Sequence, residues 1–118
     1  MSQAAAQEVA SAAQVTTAPL AMLGTYQASF SFLPSTSSSR TVSVTIQNPP
    51  AGVAVSTIAL QSFDVEYTNS EQYGFGRLQV ALSVSGSQAS CTVTLRDNHT
   101  NERQWDGTVM GLVTFFGN

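Results

Sequence analysis

The chain of 118 residues suits one domain, long enough to bury about two thirds of the surface its unfolded form exposes. Hydrophobic residues make up 42%, sufficient for a core, but charged residues only 9%, against a usual share of about a quarter, and lysine is absent. The four cations, Arg40, Arg77, Arg96 and Arg103, are scattered and the net charge is -3, which excludes the clustered basic surface needed to bind nucleic acid or an anionic membrane.

Ser2 to Val15, SQAAAQEVASAAQV, combines strong helix formers with no turn residue. Ser2 can cap it, and Ala5, Ala6, Val9, Ala12 and Ala13 recur at helical spacing as one small apolar face. The spacing predicts a short Ala-rich helical arm over residues 1–15. Such a helix is marginal alone and needs a partner, in its own domain or in a neighbouring copy; the alternative is a frayed tail. The N-terminus lacks the positively charged start and apolar run of a secretory signal, and no stretch approaches 18 apolar residues. Neither export by the general route nor membrane insertion is expected, the alternative for export being that the chain is an already processed form.

After a connector with Pro19, the period becomes two. Tyr26, Ala28, Phe30 and Phe32 alternate with polar residues over Gly24 to Leu33, a first strand that Pro34 is expected to end. Arg40 to Gln47 is a second, with Val42, Val44 and Ile46 inward, closed by the turn Asn48-Pro49-Pro50-Ala51-Gly52. Val53 to Thr68 changes parity twice, predicting bulges near Ser56-Thr57 and Gln61-Ser62. Asn69 to Gly76 reads as a polar loop with Tyr73 and Phe75.

The clearest pattern lies between Leu78 and Arg96. Leu78, Val80, Leu82 and Val84 alternate with polar or small residues, as do Cys91, Val93 and Leu95, and Ser85 to Ser90 with Gly86 separates the halves, so a hairpin is expected. Asp97 to Gly107, DNHTNERQWDG, is the most polar segment and holds the single His and single Trp. Thr108 to Phe116 is apolar at both parities: Val109, Gly111, Val113 and Phe115 on one side, Met110, Leu112 and Phe116 on the other. It therefore reads as a strand buried on both faces, the second by the N-terminal helix or by another subunit. The expected fold is all-β, a single antiparallel β-sandwich of about six strands over residues 24–117, carrying the helical arm.

Catalytic chemistry finds little to work with. His99 is the single histidine, no serine lies in a nucleophile-elbow context, and Cys91 falls among the inward residues, so no activated nucleophile with an oriented base can be assembled. One Cys and one His cannot make a zinc tetrahedron, and no cofactor motif is present. Asp97, Asn98, Glu102 and Asp106 supply oxygen ligands conceivable for calcium, but their spacing matches no 12-residue calcium loop. Asp64 and Glu66 share a strand face roughly 7 Å apart. Acid and base work is one reading of them; a charged strip protecting an edge strand is the commoner one. Asn98-His99-Thr100 fits the N-glycosylation pattern.

What remains is recognition. Arg96, Asp97, Asn98, His99, Arg103, Gln104 and Trp105 offer donors, acceptors and one aromatic plate, a mixture that suits sugar hydroxyls and their apolar CH faces or a polar protein epitope. The alternative is that Trp105 folds down as a core lid under solvated charges. From Pro49 onward, Pro49-Pro50 before Val53-x-Val55, a polar loop leading to Arg77, the Val80 to Val84 strand, and Cys91-x-Val93-x-Leu95 followed by Asp97 together resemble the H-type lectin domain. That resemblance implies a small six-stranded antiparallel sandwich, typically oligomeric, that binds a monosaccharide near subunit boundaries through the loop containing Asp97, Asn98 and His99. The sequence departs from the family in its last strand, where Val113-Thr114-Phe115-Phe116 carries no tryptophan.

Two functions are therefore expected. One is a non-catalytic, homo-oligomeric module that binds a glycan through the 96–106 loop, with Arg96, Asp97, Asn98, His99, Arg103 and Trp105 as its site. The other is a structural subunit of a larger assembly such as a virion, appendage or inclusion. In both, Val9, Ala12, Ala13, Met110, Leu112 and Phe116 contact other copies. The low charge and absent lysine leave little repulsion between copies and favour assembly.

Overall fold

The computed structural model describes residues 19–69, 74–99 and 103–118. Six strands follow one another: β1 (Ala21–Ser35), β2 (Ser39–Thr45), β3 (Val53–Tyr67), β4 (Phe75–Ser85), β5 (Gln88–Asp97) and β6 (Trp105–Gly117). They form two three-stranded antiparallel sheets, ordered β1-β6-β3 and β2-β5-β4, and no helix occurs among the described residues. The expected helical arm, with Val9, Ala12 and Ala13, lies outside the described residues.

The two sheets share one core in a sandwich-like arrangement. Ala28, Phe30 and Phe32 of β1 and Trp105, Val109, Val113 and Phe115 of β6 are buried together with Ala89, Cys91, Val93 and Leu95 of β5 and with Ile46. β5 and β6 bury most because each is the central strand of its sheet. Every fully buried Phe or Val here contributes about 1.5–3 kcal/mol relative to an exposed one. The inward sets expected from alternation in β1, β4 and β5 are the inward sets observed.

The β4–β5 hairpin is tighter than the polar run Ser85 to Ser90 implies. Ser85 pairs with Gln88, leaving Gly86 and Ser87 as a two-residue turn. Gly86 has φ 58° at the first turn position, as a type II′ turn requires, and a side chain there would be strained. The turn fixes the whole register down to Arg77 opposite Arg96.

Several boundaries differ from the sequence reading: β1 begins at Ala21 rather than Gly24, and β4 begins at Phe75, inside the expected loop. Pro34 does not end β1. It sits where the register skips between Phe32 and Ser35 on an edge strand, so its missing N–H leaves no ladder bond unmade. In β3 the second bulge falls at Gln61 as expected, but the first falls at Ala54, between Val53 and Val55, rather than at Ser56-Thr57. Val53 therefore pairs with Gly117 on the inner face while Val55 turns outward beside Phe116. Finally, β6 starts at Trp105 instead of Thr108.

Candidate functional site

At the end of the core where β6 begins, Arg40 and Trp105 are interlocked. Arg40 occupies the inward parity of β2, opposite Val93. Its Cζ lies 3.7 Å from the centroid of the Trp105 ring and 5.8 Å from that of Phe32. One Nη donates to the carbonyl oxygen of Leu33 and the other to that of Trp105 at 2.7 Å. The Nε is buried without a hydrogen-bond partner. Burial pulls the guanidinium below its ordinary pKa, while the charge of Asp106 opposes the shift. Trp105 is fully buried and donates its Nε1–H to Ser37 O at 2.9 Å. It is thus the core lid, not an aromatic plate open to a ligand. Its pairing with both Ser35 and Tyr67 places it inside a sheet.

The polar segment after β5 is likewise divided. Asp97 is 1% exposed; its Oδ2 accepts from Arg103 Nε at 3.1 Å and its Oδ1 accepts from the backbone N–H of His99 at 3.0 Å. The buried Asp97 carboxylate thus accepts from two residues of this segment, through the His99 N–H and Arg103 Nε. The backbone N–H of Asn98 donates to Gly74 O at 2.9 Å, tying this loop to the start of β4. Asn98 and His99 face solvent. Arg96 lies on the opposite face of β5 from Leu95 and Asp97, half-buried and directly across from the exposed Arg77. Of the six expected ligand residues, then, Asn98 and His99 are exposed, Arg96 and Arg103 are half-buried, and Asp97 and Trp105 are buried. Glu102 lies outside the described residues, and no cluster of metal-binding side chains occurs among the described ones.

The outer faces of the two sheets differ in chemistry. On β1-β6-β3, Met22 and Val55 flank Phe116 from either side, Gln27 and Ala59 flank Leu112, and Ser29 and Ser62 flank Met110. Met22 is 64% exposed and Val55 45%, and no described element covers this row. Asp64 and Glu66 lie further along the same face, exposed on the edge strand β3. On β2-β5-β4 the outer face is almost entirely hydroxyl and amide. Its rows are Ser39–Thr94–Gln79, Thr41–Thr92–Ala81, Ser43–Ser90–Ser83 and Thr45–Gln88–Ser85. Cross-strand bonds link Thr41 to Thr92 at 2.7 Å, Ser43 to Ser90 at 2.8 Å, Gln88 to Thr45 at 3.1 Å and Thr94 to Ser39 at 3.2 Å.

At the far end of the core, an open cleft of about 490 Å³ is lined chiefly by Pro49, Pro50, Val53, Ala54, Val84 and Phe115. It carries no titratable side chain.

Two features of this surface escape a reading of the sequence. Arg40 shares the parity of Val42 and Val44, which was the available sign that it points inward. The facing of Arg77 and Arg96 needs the length of the hairpin turn. The chain matches no family model, no curated protein and no solved structure.

Proposed function

We propose that this chain is a non-catalytic module that self-associates by packing the outer face of its first sheet against a second copy. The observation that carries this reading is the apolar row Met22–Phe116–Val55, which crosses all three strands with no described element over it; the hydroxyl row Thr25–Thr114–Thr57 separates it from Leu112 and Met110 further along the face. A face of this kind is self-complementary, since two copies related by a two-fold axis stack sheet on sheet at about 10 Å. No charge lies within the row, so nothing in it opposes the contact.

Light scattering on the full chain over a concentration series tests this. The expected result is a mass above that of the monomer, reduced to the monomer by Phe116→Ser with Val55→Thr while circular dichroism stays unchanged. A monomer at every concentration refutes the proposal. Deleting residues 2–15 separates the alternative cover: a rise in mass on deletion would mean that the N-terminal segment occupies this face. Growth without limit favours the structural-subunit form, whereas a small closed oligomer favours a multivalent binder.

A second reading, glycan recognition at the end of the module that carries Arg96, Asn98 and His99, is favoured by the exposure of Asn98 and His99 and by the outer-face position of the half-buried Arg96.

A further inference from the structure

Arg77 and Arg96 are two of only four cations in the chain, and the hairpin register sets them directly opposite one another. Residues so placed have Cβ atoms about 4.5–5.5 Å apart, and like charges on directly opposite positions are destabilising. Both belong to the outer face: Leu78 and Leu95, their neighbours along the strands, point into the core. No carboxylate among the described residues forms an ion pair with either one. Asp97, the nearest acid in sequence, is turned inward to Arg103. Arg77 donates through one Nη to Gln79 Oε1 at 2.9 Å, which steadies its side chain along the strand.

The pair also has a specific setting. It closes one end of the hydroxyl face, and the adjacent row, Ser39–Thr94–Gln79, offers two hydroxyls and an amide. The bonds between Thr94 and Ser39 and between Thr41 and Thr92 order those groups before anything binds. Two guanidinium forks side by side suit a single planar or tetrahedral oxyanion, which each can engage with paired N–H donors. The ordered hydroxyls beyond suit the neutral rim of a sugar. A net charge of -3 and two isolated cations provide no continuous basic track, so an acidic polymer would be held at one anionic residue at a time rather than along its length.

We infer that Arg77 and Arg96 form the anion-binding point of a site for an acidic glycan, one bearing a carboxylate or a sulfate, whose neighbouring sugar lies over Thr94, Ser39 and Gln79. The inference rests on the glycan reading above, is independent of self-association, and moves that reading's centre from the 96–106 loop to the outer face of the second sheet.

The test is binding of the full chain to immobilised polygalacturonate and dextran sulfate, with neutral dextran and a panel of neutral glycans alongside, and with inorganic phosphate as competitor. The two acidic polymers distinguish carboxylate from sulfate. Arg77→Gln and Arg96→Gln are each expected to weaken binding to the preferred polymer at least tenfold, the double variant to abolish it, and Arg→Lys at either position to restore it only in part. The melting temperature of the Gln variants should stay level or rise, since a repulsive pair is removed. A fall would mean that the arginines serve a structural ion pair, and would overturn the inference. Acidic polymers bound no better than dextran, or bound equally by the double variant, would also overturn it. Neutral glycans bound regardless of the arginines would leave the glycan reading standing without this site, and no binding to any glycan would remove both.

Discussion

Replacing Arg40 with Met tests what closes the end of the core. The substitution keeps a flexible apolar stem over Trp105 but removes the guanidinium fork that joins Leu33 O to Trp105 O and stacks on the indole at 3.7 Å. Two hydrogen bonds from a charged donor contribute about 1.5–3 kcal/mol each, and a partly desolvated cation–π contact about 0.5–2 kcal/mol. Two effects work against that ceiling. Burial disfavours the charged group, as its lowered pKa records, and water can reach the carbonyl of the exposed Leu33 once the fork is gone. The net loss should be about 2–3 kcal/mol, a drop in melting temperature on the order of 10 °C for a domain of this size. Trp105 is the single tryptophan, so its fluorescence during urea unfolding reports directly on the cluster. Arg40→Lys keeps the charge but not the fork, and should lose about 1–2 kcal/mol. A loss below about 1 kcal/mol for the Met variant, with an unchanged denaturant slope, would refute the idea that the fork holds this end together.

Two further predictions concern buried groups. Asp97→Asn still accepts the His99 N–H but loses the charge facing Arg103, and should cost about 1–2 kcal/mol; Asp97→Ala removes the carboxylate that accepts from both the His99 N–H and Arg103 Nε, and should cost about 2–4 kcal/mol. Hydrogen exchange at the His99 amide should quicken in the Ala variant but not in the Asn variant; equal protection in both would contradict the assigned bond. Burial pushes the Cys91 thiol from its ordinary 9.0 up to about 11. The unfolded chain thus ionises first, so this contribution to stability is fully present below pH 9 and is lost as the pH rises from 9 to 11. Urea midpoints across that window should fall more steeply for the native chain than for Cys91→Ala, and parallel curves would count against it.

Alternation alone made the cores of β1, β4 and β5 legible, because Phe30, Val80 and Val93 sit in strands whose two faces differ in polarity. It failed where a polar segment is also a strand. Trp105, Gly107 and Val109 continue the inward parity of β6, but Asp106 and the run before it read as loop, and only tertiary burial reveals the strand start. The Ala54 bulge was hidden for another reason: a parity change says that an extra residue exists, not where the partner strand absorbs it. With β6 as partner, Val55 moves outward beside Phe116, and the apolar row appears. The facing arginines lay one step away. Given a turn at Gly86-Ser87 rather than a longer connection, counting back along both strands brings Arg77 to Arg96.

The hydroxyl face of the second sheet bears on the solution behaviour of the molecule. Its side chains bond to one another across the strands and carry no charge between Thr45 and Gln79, so dilute electrolyte has little there to screen. Solubility should consequently vary little with ionic strength in the range where charged surfaces respond most, and give way instead to salting-out by sulfate, an ion excluded from the protein surface. On this face hydration rests on hydroxyl and amide groups rather than on charge.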